Sequence, residues 1–312
     1  MNPVPFLQLM HISGIGHATL NRLIRRMENQ GISPEDLHHF SSDDLVYLCG
    51  FRPEWVHPFR TNHEQAEQTF EKLYSQGIQI VIPQDEFYPQ RLSHILGNSA
   101  PPMLFVRGNR DLLRQKGFAI VGARKCSDQG IQMAQTCAAQ VVEQSITVIS
   151  GNAPGIDTIA HTTALSEGGN TVFILAHGIF HYRPCYKYSQ PMQAESSLVV
   201  SEFLPGLPWA THAAMQRNRT ICALAQAVIV IEAGVSGGSI ATARLALQFH
   251  IPLFAAAYTP MPPTAEGNRY LLHRGAIPIQ NLPNQIRDGL PRLNDRQKLS
   301  PEGLSPLLFP EE

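Results

Sequence analysis

Between residues 118 and 257 six short apolar runs recur: FAIVG (118–122), ITVIS (146–150), TVFILA (171–176), LVVSE (198–202), AVIVIE (227–232) and PLFAAA (252–257). Most are continuous in apolar and β-branched residues rather than alternating with polar ones. A strand covered on both faces requires that pattern. Helical spacing fills most of the gaps, as in residues 131–142 and 156–165. Strand and helix in alternation predict an α/β fold with a mainly parallel, doubly wound sheet. In such sheets ligands gather at the C-terminal edge of the strands, near the point where strand order reverses.

The residues that follow each strand are therefore the candidate site. After the first run come Gly122, Arg124, Lys125 and Ser127, with Ser127 or Asp128 placed to cap the next helix. After the second comes SGNAPGID (150–157), where Pro154 suits a first helical turn. After the third comes a longer loop with His177, His181, Tyr182, Arg183 and Tyr188. After the fifth comes the turn Gly234 to Ser239, leading into a helix; a strand, a glycine-serine turn and a helix start present unpaired N–H groups to an anion. Gly237 and Ser239 belong to this turn. Just before that strand Arg217, Asn218 and Arg219 form an Arg-Asn-Arg triplet. Parallel strands would put Arg124, Lys125, Arg183, Arg217 and Arg219 on one edge. That is the footprint of a phosphate-rich ligand, either a nucleotide or a nucleic-acid backbone.

Composition narrows the ligand further. Over 312 residues the formal net charge is −1, so a nucleic acid would have to be met by a local patch rather than a global field. Hydrophobic residues make up 43% and charged residues 16%, as in ordinary globular proteins. Five cysteines without CxxC spacing suit a reducing cytoplasm. Neither a signal peptide nor an apolar stretch of about 18 residues that would span a membrane is evident. The dinucleotide fingerprint GxGxxG, the P-loop GxxxxGK[ST], GxSxG and HExxH are all missing. His177, His181 and Cys185 are spaced by four, but Gly178 and Pro184 break any helix there, and no metal or other cofactor is expected. Asp157 and His161 share a helix face, as either a structural or a catalytic pair.

Residues 1–72 read as a small all-α domain. Gly14-Ile15-Gly16 between two helices resembles a helix-hairpin-helix or SAM-like element, which either packs or touches a phosphate through backbone amides. Residues 73–289 form the α/β domain, beginning with strand-like runs at 78–82 and 103–106. Residues 290–312, rich in proline, leucine and charge, read as a flexible tail.

Several blocks in order resemble the DprA/Smf family of recombination mediators: Tyr88-Pro89, FAIVGARKCSDQG, SGNAPGIDTIAHTTALSEGGNT, SEFLPGLP and RNRTICALAQAVIVIEAGVSGGSIATA. The resemblance spans roughly residues 77–279. It implies an extended Rossmann-like fold that binds single-stranded DNA in a basic pocket. It also implies homodimerisation through the C-terminal part of that domain, and transfer of incoming DNA to a RecA-type recombinase in natural transformation. The DNA-contacting positions it implies are Arg124, Arg217 and Arg219, with backbone and hydroxyl contacts from Gly122, Ser127, Gly237 and Ser239. The chain departs from the family at Pro154, where arginine is usual, and at Phe180 and Arg183. It departs again at Ala214-Met215, where the family has Phe-Pro, and it is expected to lack the winged helix that ends many members. Arg183 is a candidate replacement for the charge missing at 154.

Two classes of function follow. One is a non-catalytic single-stranded DNA binder, with Tyr182, Tyr186 or Phe203 either stacking bases or packing in the core. The other is a nucleotide-binding or nucleotide-hydrolysing relative of the lysine-decarboxylase-like phosphoribohydrolases, with Glu202 and Glu232 as the available acids. A divergent paralogue with a different partner is the third reading.

Overall fold

The structure is a computed structural model that describes residues 3–183, 195–279 and 282–287. The tail expected at 290–312, and Cys185, Tyr186 and Tyr188, lie outside the described residues. Five helices come first: α1 (Val4–Met10), α2 (His17–Asn29), α3 (Ser42–Tyr47), α4 (Pro53–Thr61) and α5 (His63–Ser75). Strand β1 (Gln79–Val81), helix α6 (Gln90–Leu96) and strand β2 (Leu104–Gly108) follow. The alternating series then runs β3 (Gly117–Val121), α7 (Asp128–Glu143), β4 (Thr147–Ser150), α8 (Ile156–Ser166), β5 (Thr171–Ile174), β6 (Ser197–Ser201), α9 (Thr211–Leu224), β7 (Ala227–Val230), α10 (Gly238–Gln248) and β8 (Leu253–Ala255). Helix α11 (Glu266–His273), strand β9 (Ile277–Pro278) and helix α12 (Leu282–Arg287) complete it.

All nine strands join one sheet in the order β1-β2-β6-β5-β4-β3-β7-β8-β9. From β6 to β9 every pairing is parallel, as the continuous apolar runs require. Strand β2 pairs antiparallel with both β1 and β6, so the segment before the alternating series extends the same sheet. Strand β9 is two residues long and carries no sequence signal of its own. The chain steps outward from β3 through β4 and β5 to β6, then returns to the other side of β3 to lay down β7. The order therefore reverses between β3 and β7.

Side chains alternate across the sheet and separate two cores. Val172 and Ile174 of β5, Leu198 and Val200 of β6, and Val228 and Val230 of β7 face one way, into a core shared with α6, α9, α10 and α11. On the other face Phe118, Ile120, Ala227 and Ile229 pack with α7 and α8. Beside them on that face, Phe105, Phe173 and Val199 belong to one cluster with Leu7, Leu20, Leu23, Trp55, Phe59 and Leu73 of the N-terminal helices. Helix α5 runs through position 72 to Ser75, and its Leu73 belongs to this common core. The described part of the β5–β6 connection holds a short 3₁₀ helix, Ile179–His181, whose Ile179 packs in the same cluster. The N-terminal helices keep the aromatic face of β5, β6 and β2 out of water.

Because that core is common to helices and sheet, Phe105→Ala is expected to lower stability by about 3–5 kcal/mol. Chemical denaturation followed by far-UV and near-UV circular dichroism should show both signals moving in one transition. Two separated transitions would mean that the N-terminal helices fold on a core of their own.

Candidate nucleic-acid interface

Hydrogen bonds lock the switch point between β3 and β7 together. Ser239, in the first turn of α10, donates its hydroxyl to the carbonyl of Gly122 at the end of β3, at 2.8 Å. Ser127 caps α7 by accepting from the Gly130 amide at 3.1 Å. Its own amide donates to Glu232 at 3.0 Å, and its hydroxyl donates to the same carboxylate. Glu232, two residues beyond β7, has no exposed surface. It is a bracket between β7 and α7, and Ser127 is turned toward it rather than toward solvent.

Gly155 positions the loop after β4. Its φ is +82°, and a Cβ there would lie 2.4 Å from the carbonyl oxygen of Ala123 and 2.5 Å from that of Arg124. The Ile156 amide donates to Ala123 at 3.2 Å. The loops after β3 and β4 are therefore pressed together, and Arg124 stands exposed on top of them.

Arg217 is expected to face the ligand, but only 8% of it is exposed. From α9 it reaches beneath the strand ends and donates to the carbonyls of Gly151, after β4, and of Ile174, in β5, the latter at 2.6 Å. Asp157 lies close by and accepts from the amides of Gly151 at 3.2 Å and Ala153 at 3.3 Å. Gly151 sits between the two charges, and a Cβ on it would come within 2.2 Å of the Arg217 guanidinium. Burial pushes the Asp157 carboxyl above its ordinary pKa, against the pull of Arg217. Burial likewise pushes the Arg217 guanidinium down, against the pull of Asp157 and Glu202. Arg217 is thus a brace for the cleft floor; its carbonyl partners already occupy one end of the guanidinium. Asn218 is buried beside it and reaches the Gly238 carbonyl at 3.4 Å.

Two adjoining clefts open at this edge. The inner one, of about 450 Å³, is lined by Gly122, Arg124, Arg217, Asn218, Gly237 and Ser239. The outer one, of about 1030 Å³, lies between the Gly16–Thr19 turn, α9 and α10, and is lined by Arg219, Arg244 and Gly237. Gly237, with φ +106°, opens α10, whose first amides point to the junction of the two clefts. None of Arg124, Arg219 and Arg244 is in an ion pair among the described residues. Lys125 is exposed but lines neither cleft.

Other expected contributors lie elsewhere. Arg183 lines neither cleft and donates to the carbonyls of Phe180 at 3.1 Å and Tyr182 at 3.0 Å. Lys72 of α5 lies over the ring of Phe180, close to it in the chain. Tyr182 and Phe203 are buried, which takes both away from any exposed base. Asp157 and His161 do not meet as a pair: His161 is fully buried, contacts the Thr171 hydroxyl at 2.6 Å and stacks on Phe173. Burial lowers its pKa to about 3. Glu202 is 2% exposed and accepts from Thr220 at 2.9 Å and Gln216 at 3.3 Å, with His17 of α2 at 3.5 Å. It ties the helical region to α9. Among the described residues no group of three or more His, Cys, Asp or Glu is arranged to share a metal ion. Trp209 and Arg244 line the clefts without having been singled out from the sequence, and Met215, noted there only as a departure from the family, lines both. The cue for Trp209 was its place in the proline-rich loop just before the Arg-Asn-Arg helix.

This geometry has counterparts in known proteins. Residues 79–289 match the family described as DNA recombination-mediator protein A. DNA processing protein DprA of Streptococcus pneumoniae is 34% identical over 219 residues, covering 70% of this chain and 75% of that protein. Protein Smf of Escherichia coli is 32% identical over 213 residues, covering 67% of this chain and 56% of that protein. The X-ray structure of DNA processing protein A from Streptococcus pneumoniae superposes with a TM-score of 0.79 at 27% identity, over 93% of this chain and 99% of that one. A structure of DNA processing protein A from Helicobacter pylori, described for its single-stranded DNA binding mode, superposes at 0.59 with 26% identity, over 68% of this chain and 94% of that one.

The brace makes a prediction about stability. Arg217→Met leaves Asp157 buried without its nearby cation and should cost about 3–5 kcal/mol at pH 7. The folded-state pKa of Asp157 already lies above its unfolded value, so stability falls as pH rises through the folded pKa. Losing Arg217 raises that pKa further, and urea denaturation should show a smaller deficit at pH 5 than at pH 7. Adding Asp157→Asn should recover part of the loss; an additive double variant would uncouple the two residues.

Proposed function

The chain belongs to the DNA recombination-mediator protein A family, also called DprA or Smf, and we propose that it binds single-stranded DNA along the two clefts at the β3–β7 switch point. The observation that carries this reading is the arrangement of Arg124, Arg219 and Arg244 around the start of α10, outside any ion pair among the described residues. Phosphates met by arginine and by helix-terminal amides supply sequence-independent affinity. Arg124, Arg219, Gly237 and the exposed Lys125 are the direct contacts in this reading. Gly122, Ser127, Arg217, Asn218 and Ser239 hold the cleft walls.

In this proposal the protein protects incoming DNA in natural transformation and passes it to a RecA-type recombinase. It works in the cytoplasm as a homodimer formed through the C-terminal part of the Rossmann-like region. The relatives' description as recombination mediators and DNA processing proteins supports that assignment. No helix among the described residues is long and apolar enough to cross a membrane. The hydrolytic alternative would need an available acid. Glu232 and Glu202 are buried in hydrogen bonds to Ser127 and to Thr220 and Gln216, which favours binding over turnover.

Affinity for an oligo-dT strand and for duplex, measured across a salt series, tests the reading. Single strand should bind more tightly than duplex. Arg124→Ala and Arg219→Ala should each weaken it and reduce the salt slope by about 0.7, the contribution of one phosphate contact on a single strand. Unchanged slopes, together with nucleoside monophosphate hydrolysis that Glu232→Gln abolishes, would favour the enzyme instead.

A further inference from the structure

Six large apolar side chains are prominently exposed among the described residues: Tyr47, Leu48, Tyr74, Trp209, Met215 and Val235. Three of them, Trp209, Met215 and Val235, line the two clefts. Trp209 is the largest, and 52% of it is exposed. An indole left half in water at the mouth of a basic cleft is surface that folding has not buried and that a planar ligand would cover.

The backbone beneath it is fastened. The Gly178 amide donates to the Leu207 carbonyl at 2.7 Å, the Phe180 amide to Pro205 at 3.0 Å, and the Leu207 amide to Leu204 at 2.8 Å. Two residues after Trp209, α9 begins at Thr211. The ring is therefore carried on an anchored segment, so little backbone freedom would be lost on stacking. Arg124 lies over the ring at 5.9 Å from its centroid, near the outer limit of cation–π attraction. The guanidinium remains available to a phosphate while the indole beside it faces the cleft. Behind them, the buried Nε of Arg217 has no hydrogen-bond partner among the described residues, in a pocket that Trp209, Arg124 and Arg217 line together. The site thus offers a cationic group and a flat apolar surface within one recess.

We propose that Trp209 is a nucleobase platform: the inner cleft holds one nucleotide of a single strand, with its phosphate at Arg124 and its base stacked on the indole. This rests on the single-stranded DNA reading above and adds to it a base contact that tolerates any sequence, since every base has a π-face. It also gives this chain an exposed aromatic at the cleft, where Tyr182 and Phe203 are buried.

Oligo-dT and an abasic strand of equal length separate base from backbone. The chain has two tryptophans, and the other, Trp55, is buried in α4. Binding of oligo-dT should change tryptophan emission in the unaltered protein but not in Trp209→Ala. Trp209→Ala should weaken oligo-dT binding by about 5- to 150-fold, with the salt slope unchanged and abasic-strand binding unaffected. Trp209→Phe should keep most of the affinity, and Arg124→Ala should weaken both strands. Equal losses on both strands in Trp209→Ala, or undiminished oligo-dT binding, would overturn the platform while leaving single-strand binding intact. If the unaltered protein binds neither strand, the single-strand reading itself fails and the platform with it.

Discussion

Arg217 inserts its guanidinium among carbonyl oxygens at the ends of β4 and β5, and the cleft takes its shape from that insertion. Strand ends leave carbonyl groups that the ladder no longer pairs, and a buried one is costly unless a donor reaches it. Arg217 supplies the donor from a helix on the far side of the loop, and Asp157 supplies the counter-charge while accepting from the Gly151 and Ala153 amides. The loop between them is thereby held against the Arg124 loop, and Arg124 is lifted to the surface. A residue type usually associated with binding phosphate is here used to build the wall on which another arginine, Arg124, stands exposed.

The acids follow the same logic. Glu232 fastens β7 to the start of α7, and Glu202 fastens α9 to the start of α2. Both sit near a helix N-terminus, where a carboxylate is stabilised by the local field. Glu232 lines neither cleft, whereas Glu202 lines the outer one with its carboxylate held by Thr220 and Gln216. The neutral overall charge of the chain is compatible with a basic groove, because Arg124, Arg219 and Arg244 are gathered at one edge of the sheet.

The N-terminal helices do more than precede the sheet. They cover the face of β5, β6 and β2, and the turn at Gly16–Thr19 forms a wall of the outer cleft. The departures at Phe180 and Arg183 fall on the loop that packs toward these helices, with Lys72 over Phe180. Pro154 lines a recess with Asn152, Trp209 and Arg124.

How much was legible in the sequence differs between fold and site. Continuous apolar runs are the signature of strands covered on both faces, so the parallel sheet, its helices and its functional edge could be read directly, and the family blocks agreed. The glycines at 122 and 237 and the basic residues at 124 and 219 could be placed at the cleft edge from sequence because turns and charges are local properties. Burial is not local. Arg217 and Arg219 lie two apart on one helix, about 200° around its axis, and nothing in the triplet says which faces the strand ends and which the cleft. The same holds for Ser127, whose hydroxyl is claimed by a carboxylate 105 residues away, and for Trp209, left exposed while Tyr182 and Phe203 are buried. Sequence by itself determined the sheet and the edge at which glycines and basic residues gather; tertiary packing decided which side chains face the clefts there, because burial depends on partners brought together from distant parts of the chain.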